Sequence, residues 1–392
     1  MLIWIRTPAA LPKRTIWYCT DMKTFCILPM SRIIVFFCLL SVFIGCGEFV
    51  GTDKDEDPDT GSIEKLEIFL CDYNLHQFYN TVAMDNSVSC SVIYNKWHGD
   101  GTIKVRGDSS RLYLKKSFML KVDGKKYVLE RGEENGGIYN RIAMRAYQLA
   151  GVTACDTESI ALYVNEEYLG CYNLITYYDE DIMGGELYKC YFTDYDHMEN
   201  NHPITSLSKK KFPDDDNFVN LGLLIAAVVN LSDEEWHKFV LENVDVEHMA
   251  AYMAVHDFLT VIDTGCTNFY MHYDGKYRIV PWDNEQCLRE NRNNYYPCND
   301  NQLIRRLATV AEIKTAYNQI MQALFTGGGA ECILDQLSAE ATTMFDNLVP
   351  AMENDPVFHM SRQEFMQIKA YVLAYLDKNT GRAAEADKLI LH

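Results

Sequence analysis

The spacing of apolar positions changes once along this chain, from every second residue to every third or fourth. Through residues 102–130 the period is two. Ile103 and Val105 alternate with polar neighbours, then Phe118, Leu120 and Val122 do the same, and Asp123 with Gly124 turns the chain into a return strand at 127–129. Strand side chains alternate between faces, so this stretch reads as an antiparallel meander with one buried face. Residues 66–71 and 89–94 read as strands from their apolar and β-branched content. Residues 160–164 and 169–175 flank Asn165, Glu166 and Glu167 as a hairpin, and 187–192 is a further strand. One helix interrupts them. Over 138–150, Ile142, Ala146 and Leu149 share a face, and Gly151 stops it.

From Asp214 onward the period is helical. Residues 218–230 form an apolar helix, Ser232 and Glu235 make a capping box for the next, and Asp245 opens the helix that leads to Asp263. Further helices follow at 302–307, 313–325, 332–348 and, behind Ser361 and Glu364, at 362–376. Sheet first and helix second predicts an α+β fold with a sheet-rich N-lobe over 63–195 and a mostly helical C-lobe over 196–392.

The first residues belong to a different argument. Arg32 is followed by an apolar run, 33–44, broken only by Ser41, and Phe43, Ile44, Gly45 and Cys46 resemble a bacterial lipobox. About a dozen apolar residues fall short of the roughly 20 that a spanning helix needs. Residues 1–45 therefore read as a lipoprotein leader, with 1–29 an over-extended start before Met30. Cys46 becomes a lipidated N-terminus, and 46–62 an acidic, turn-rich tether. This places the protein in the cell envelope of a bacterium, at the outer membrane or cell surface, with the membrane as a partner through lipid.

Charge and cysteine content narrow the picture. The net charge is −19, and losing residues 1–45, with five basic and one acidic residue, makes it −23. No basic stripe stands out, which argues against nucleic acid as a partner. Nine cysteines lie beyond Cys46, and none is in a C-x-x-C pair, so a zinc site is not expected. Export would permit disulfides. Most of these cysteines read as small core residues.

The chemistry concentrates in 256–285. Asp263 is followed five positions later by Asn268. Strands at 269–273 and 276–281 then form a hairpin around Asp274 and Gly275, and Asp283 follows. An Asp near an attacking hydroxyl, with an Asn and a second Asp on a metal, is what phosphoryl transfer needs. Such an enzyme also needs a strand lysine beside a loop of small residues. Lys116, with Lys121 as the alternative, stands by Ser109 and Ser110, although any such lysine also suits a solvent-facing sheet position.

Several separated stretches resemble one family. They are residues 104–111 with 115–118, then Asn140 with Arg141, 162–170, 280–283 and 301–307. Together, in this order over roughly 66–348, they look like the spore-coat protein H (CotH) kinase family, an atypical protein-kinase-like group. The resemblance implies a bilobal kinase-like fold, ATP with Mg²⁺ or Mn²⁺, and transfer of the γ-phosphoryl group to Ser or Thr hydroxyls of an unidentified protein substrate. By position, Asp263 is the catalytic Asp, and Asn268, Asp283 and Glu285 are the metal set. Lys116, Arg106, Ser109 and Ser110 lie toward the nucleotide. Two positions depart from the family pattern: Glu285 stands for an Asp, and Thr176 for a glutamate. The competing expectation is a surface lipoprotein that keeps the fold as an inactive binding or structural module.

Overall fold

The structure is a computed structural model. It describes residues 57–80, 86–107, 111, 113–132, 135–190, 208–261, 268–288, 301–325 and 332–383. The leader, the tether up to residue 56 and Cys46 lie outside these. Among the described residues no helix is long and apolar enough to cross a membrane.

The period-two half forms a closed barrel. Its strands are β1 (Glu64–Phe69), β2 (Val88–Tyr94), β3 (Trp97–Arg106), β4 (Ser117–Val122), β5 (Lys125–Arg131), β6 (Thr157–Val164) and β7 (Glu167–Thr176), in the order β1-β2-β3-β4-β5-β7-β6. All neighbours are antiparallel except the closing pair, in which β1 runs parallel to β6 with Glu64 opposite Ile160. Closure removes the two exposed edges an open sheet would leave. The alternation fills the interior: Leu66, Ile68, Ile103, Val105, Phe118, Leu120, Ile160, Leu162, Tyr172 and Leu174 all point inward. A helix not expected from its sequence, α1 (Asp72–Asn80), adds Phe78, which stacks on Phe118 at 4.8 Å.

The outer face of β5 and β7 is also covered. Val128 and Ile175 join Tyr178, Leu187, Phe212, Tyr270, Val280 and Trp282 in a second apolar cluster. Most of these come from a four-stranded antiparallel sheet of β8 (Glu186–Cys190), β9 (Ser208–Phe212), β10 (Phe269–Tyr273) and β11 (Tyr277–Pro281), ordered β11-β10-β8-β9. This sheet draws one strand from the sheet-rich half and three from the other. The expected hairpin is β10–β11. Tyr273 pairs with Tyr277, so three residues, not two, make the connection.

The helices are α2 (Ile138–Leu149), α3 (Glu180–Met183), α4 (Val219–Asn230), α5 (Asp233–Asn243), α6 (Val246–Leu259), α7 (Gln302–Leu307), α8 (Ala311–Phe325), α9 (Ile333–Glu353) and α10 (Arg362–Ala383). α6 is apolar around its whole circumference and is buried along most of its length, as such a helix must be. Asp245 caps it by accepting from the His248 N–H, and both arms of the Ser232–Glu235 capping box are made on α5. The fold is thus mixed α+β, sheet-rich first and helical toward the C-terminus. Six of the described cysteines, Cys90, Cys155, Cys171, Cys190, Cys287 and Cys332, are buried core residues, and Cys71 is exposed.

Candidate functional site

The site begins with the register of β5. Leu129 fills the barrel, so its neighbours Val128 and Glu130 face outward toward the four-stranded sheet. Glu130 is buried there, a costly place for a carboxylate. Its cross-strand partner on β7, Asn173, donates to it at 3.0 Å, and Asn140 on the first turn of α2 donates to both of its oxygens at 3.0 and 2.9 Å. Gly137 precedes α2 with φ +78°, and a Cβ there would strike the Asn173 amide. The close approach of α2 to β7 therefore requires glycine.

The second half comes from β10 and β11. These antiparallel strands put Asn268 and Trp282 at the same end of the hairpin, because Phe269 pairs with Pro281. Asn268 and Asp283 both have left-handed backbones, with φ of 58° and 60°. Non-glycine residues hold this conformation where surrounding structure over-determines it, commonly at functional positions. Here Asn140 supplies one constraint: its Oδ1 accepts the Asn284 N–H at 3.1 Å. One side chain thus ties Glu130 to the 283–285 segment.

The result is a group of three carboxylates. Oxygens of Glu130, Asp283 and Glu285 all lie within 4.8 Å of one another. The Glu130 carboxyl is pushed up to about 7, first by burial and then by the charge of Asp283, against the Asn140 and Asn173 hydrogen bonds and the Arg106 charge. Like charges this close resist joint ionisation. A divalent cation would relieve that, and an all-oxygen donor set suits Mg²⁺, Mn²⁺ or Ca²⁺ more than softer metals. Two buried polar atoms of this region, Asn173 Oδ1 and the Trp282 indole nitrogen, have no hydrogen-bond partner among the described residues.

The other expected residues divide. Arg106, the last residue of β3, holds its guanidinium 5.0 Å from the Trp282 ring centre, next to the carboxylates. Lys116 turns back on its own loop and donates to the carbonyls of Arg111 and Tyr113. Its neighbour Lys115 is buried, paired with Asp355 and bonded to the Cys171 carbonyl at 2.7 Å. Thr176 ends β7, and its N–H donates to the Asp156 carbonyl at 3.0 Å. Asp263, Ser109 and Ser110 lie outside the described residues. Sequence reasoning did not assign Glu130, Asn140 or Asn173. The signal for Glu130 was an acid at an outward phase of a strand covered on both faces.

The sequence profile described as "CotH kinase protein" matches residues 103–379, more than two thirds of the chain. No curated protein matches the sequence. Among solved structures, the Helicobacter pylori proinflammatory kinase CtkA is 16% identical and aligns over 70% of this chain and 95% of that chain, with a TM-score of 0.30. A Shewanella oneidensis MR-1 toxin–antitoxin complex of HipA, HipB and operator DNA is 10% identical over 86% of this chain and 76% of that chain, with a TM-score of 0.39. Superpositions this loose carry no argument.

Proposed function

Because this chain belongs to the CotH kinase family, we propose that it is a metal-dependent phosphotransferase of two-lobed, kinase-like build that moves the γ-phosphoryl group of ATP to a Ser or Thr hydroxyl of a protein. The observation that carries the reading is the convergence within 4.8 Å of Glu130 on β5 with Asp283 and Glu285, which follow β11. These carboxylates, with Asn268 beside them, would hold Mg²⁺ or Mn²⁺, which supplies positive charge against the phosphate oxygens. Asn140 and Asn173 orient Glu130 and keep it in place between turnovers. Arg106 offers a fixed guanidinium to a phosphate, with Lys116, Ser109 and Ser110 on the loop that follows β3. Asp263 orients the attacking hydroxyl and accepts its proton. Tyr177, Tyr270 and Trp282 pack edge to face, with centroids 5.2–6.3 Å apart, as an apolar wall that limits water.

The proposal includes location. Cys46 carries lipid and holds the protein at a bacterial envelope surface, which mass spectrometry of the native N-terminus would check. A second reading, an inactive binding module, draws support from Lys116, whose ammonium is engaged by its own loop, and from Thr176. One experiment separates the two. Asp283→Ala should abolish metal-dependent nucleotide binding and transfer, whereas Asp263→Ala should keep most binding and lose transfer. Wild-type protein that binds nucleotide with metal but transfers nothing to a Ser-rich acceptor would favour the module.

A further inference from the structure

A second charged cluster borders the carboxylates, and it is basic. Lys126 lies on the same outward face of β5 as Val128 and Glu130. Arg106 ends β3, one residue past the inward Val105. On the four-stranded sheet, Lys189 pairs with Lys209 on one side and Tyr270 on the other. Lys211 sits at a bulge, the extra residue between the partners of Leu187 and Tyr188. In a chain of net charge −19, five cations from four strands meet here.

The two neighbours on β9 differ. Lys210 has counter-ions, Glu186 at 3.1 Å and Asp215, and despite burial these acids hold its ammonium above the usual lysine range. Lys211 has no carboxylate beside it among the described residues. Burial, then Lys209, Lys189, Arg106 and Lys126, push it down to about 8. A half-buried cation among cations is unfavourable in the empty protein and favourable once an anion arrives.

We propose that Lys211, with Arg106, Lys126, Lys189 and Lys209, is the phosphate-gripping half of the site and takes the phosphate chain of the nucleotide. This rests on the metal–nucleotide reading above and extends the grip beyond Lys116. Arg106 decides the class of anion. Its guanidinium lies 5.0 Å from the ring centre of Trp282, the residue before Asp283, so a ligand held by the lysines and Arg106 reaches the carboxylates. An acidic peptide would be drawn to the lysines but repelled by Asp283 and Glu285. A polyphosphate carrying a divalent cation matches both halves. Tyr177, the half-buried ring that packs on Tyr270 and Trp282, offers ring surface to a base.

The test uses the full chain with Mn²⁺ and three probes: ATP, adenosine and inorganic tripolyphosphate. Lys211→Gln should weaken ATP and tripolyphosphate binding about tenfold or more and leave adenosine and Mn²⁺ binding unchanged, while Lys211→Arg restores most of the loss. The ligand-free Lys211→Gln protein should melt no lower than wild type, since a repelled charge has gone. Equal ATP affinity in wild type and Lys211→Gln would overturn the proposal and spare the proposed function. Tripolyphosphate binding that needs Lys211, in a wild type that takes no ATP, would overturn both.

Discussion

Asp355 and Glu130 are both buried carboxylates, and their surroundings are opposite. Asp355 has a full set of partners. Its Oδ2 receives the Lys115 ammonium and the Cys171 N–H, and its Oδ1 receives the Val357 and Phe358 N–H groups at 3.0 and 2.8 Å. Both side chains of the pair are 1% exposed or less. Among the described residues Glu130 has only neutral amide donors, and the Asp283 charge repels it against a weaker pull from Arg106. The first carboxylate closes a structural joint between β7 and the turn after α9. The second leaves negative charge only partly compensated. The difference teaches that burial alone does not mark a site, whereas burial without charge balance does.

Removing the balanced charge should cost the most. Asp355→Ala leaves Lys115 buried without a counter-ion and should lower unfolding free energy by about 3–5 kcal/mol, read by urea denaturation, with no recovery on adding metal. Next is Asn140→Ala, which takes three hydrogen bonds from Glu130 and the Asn284 N–H. It should cost about 1–3 kcal/mol and weaken metal binding roughly tenfold to a hundredfold, because it orients the ligand set. Glu130→Gln sharpens the contrast with Asp355. It removes a repelled charge, so stability should change by less than about 1 kcal/mol, while stabilisation by Mg²⁺ or Mn²⁺ disappears from the melting curve.

The smallest effect concerns His248, well away from the carboxylates. Burial holds its imidazole below the ordinary value of 6.5, outweighing its bond to the Ile279 carbonyl and the Asp245 charge, while Arg278 and His272 act with burial. The unfolded chain therefore takes up the proton at higher pH than the folded one. This contribution is complete above about 6.5 and is lost as pH falls through the lower folded value. His248→Gln should flatten stability against pH below about 6.5, by less than about 1 kcal/mol.

Much of the fold was legible because its signals are local. Ile103, Phe118 and Leu120 alternate as a half-buried strand must, and Ser232 with Glu235 spells a helix start three residues apart. Barrel closure was not, since nothing near Glu64 announces a parallel partner 96 residues on. β9 was hidden by its three lysines, which mask the alternation. The Asn268 and Asp283 positions followed from hairpin order. Glu130 did not, because its meaning lies in Asp283, Asn140 and Asn173, brought together only by packing.

The central claim is that Glu130, Asp283 and Glu285 form a divalent-cation site that works with nucleotide. The most direct measurement is Mn²⁺ uptake, followed by the electron paramagnetic resonance of the free ion, for wild type and Asp283→Ala, with and without ATP. Wild type should bind Mn²⁺, more tightly with ATP present, and Asp283→Ala should lose both the binding and the enhancement. If wild type takes up no more Mn²⁺ than Asp283→Ala at millimolar metal and ATP, the claim is contradicted.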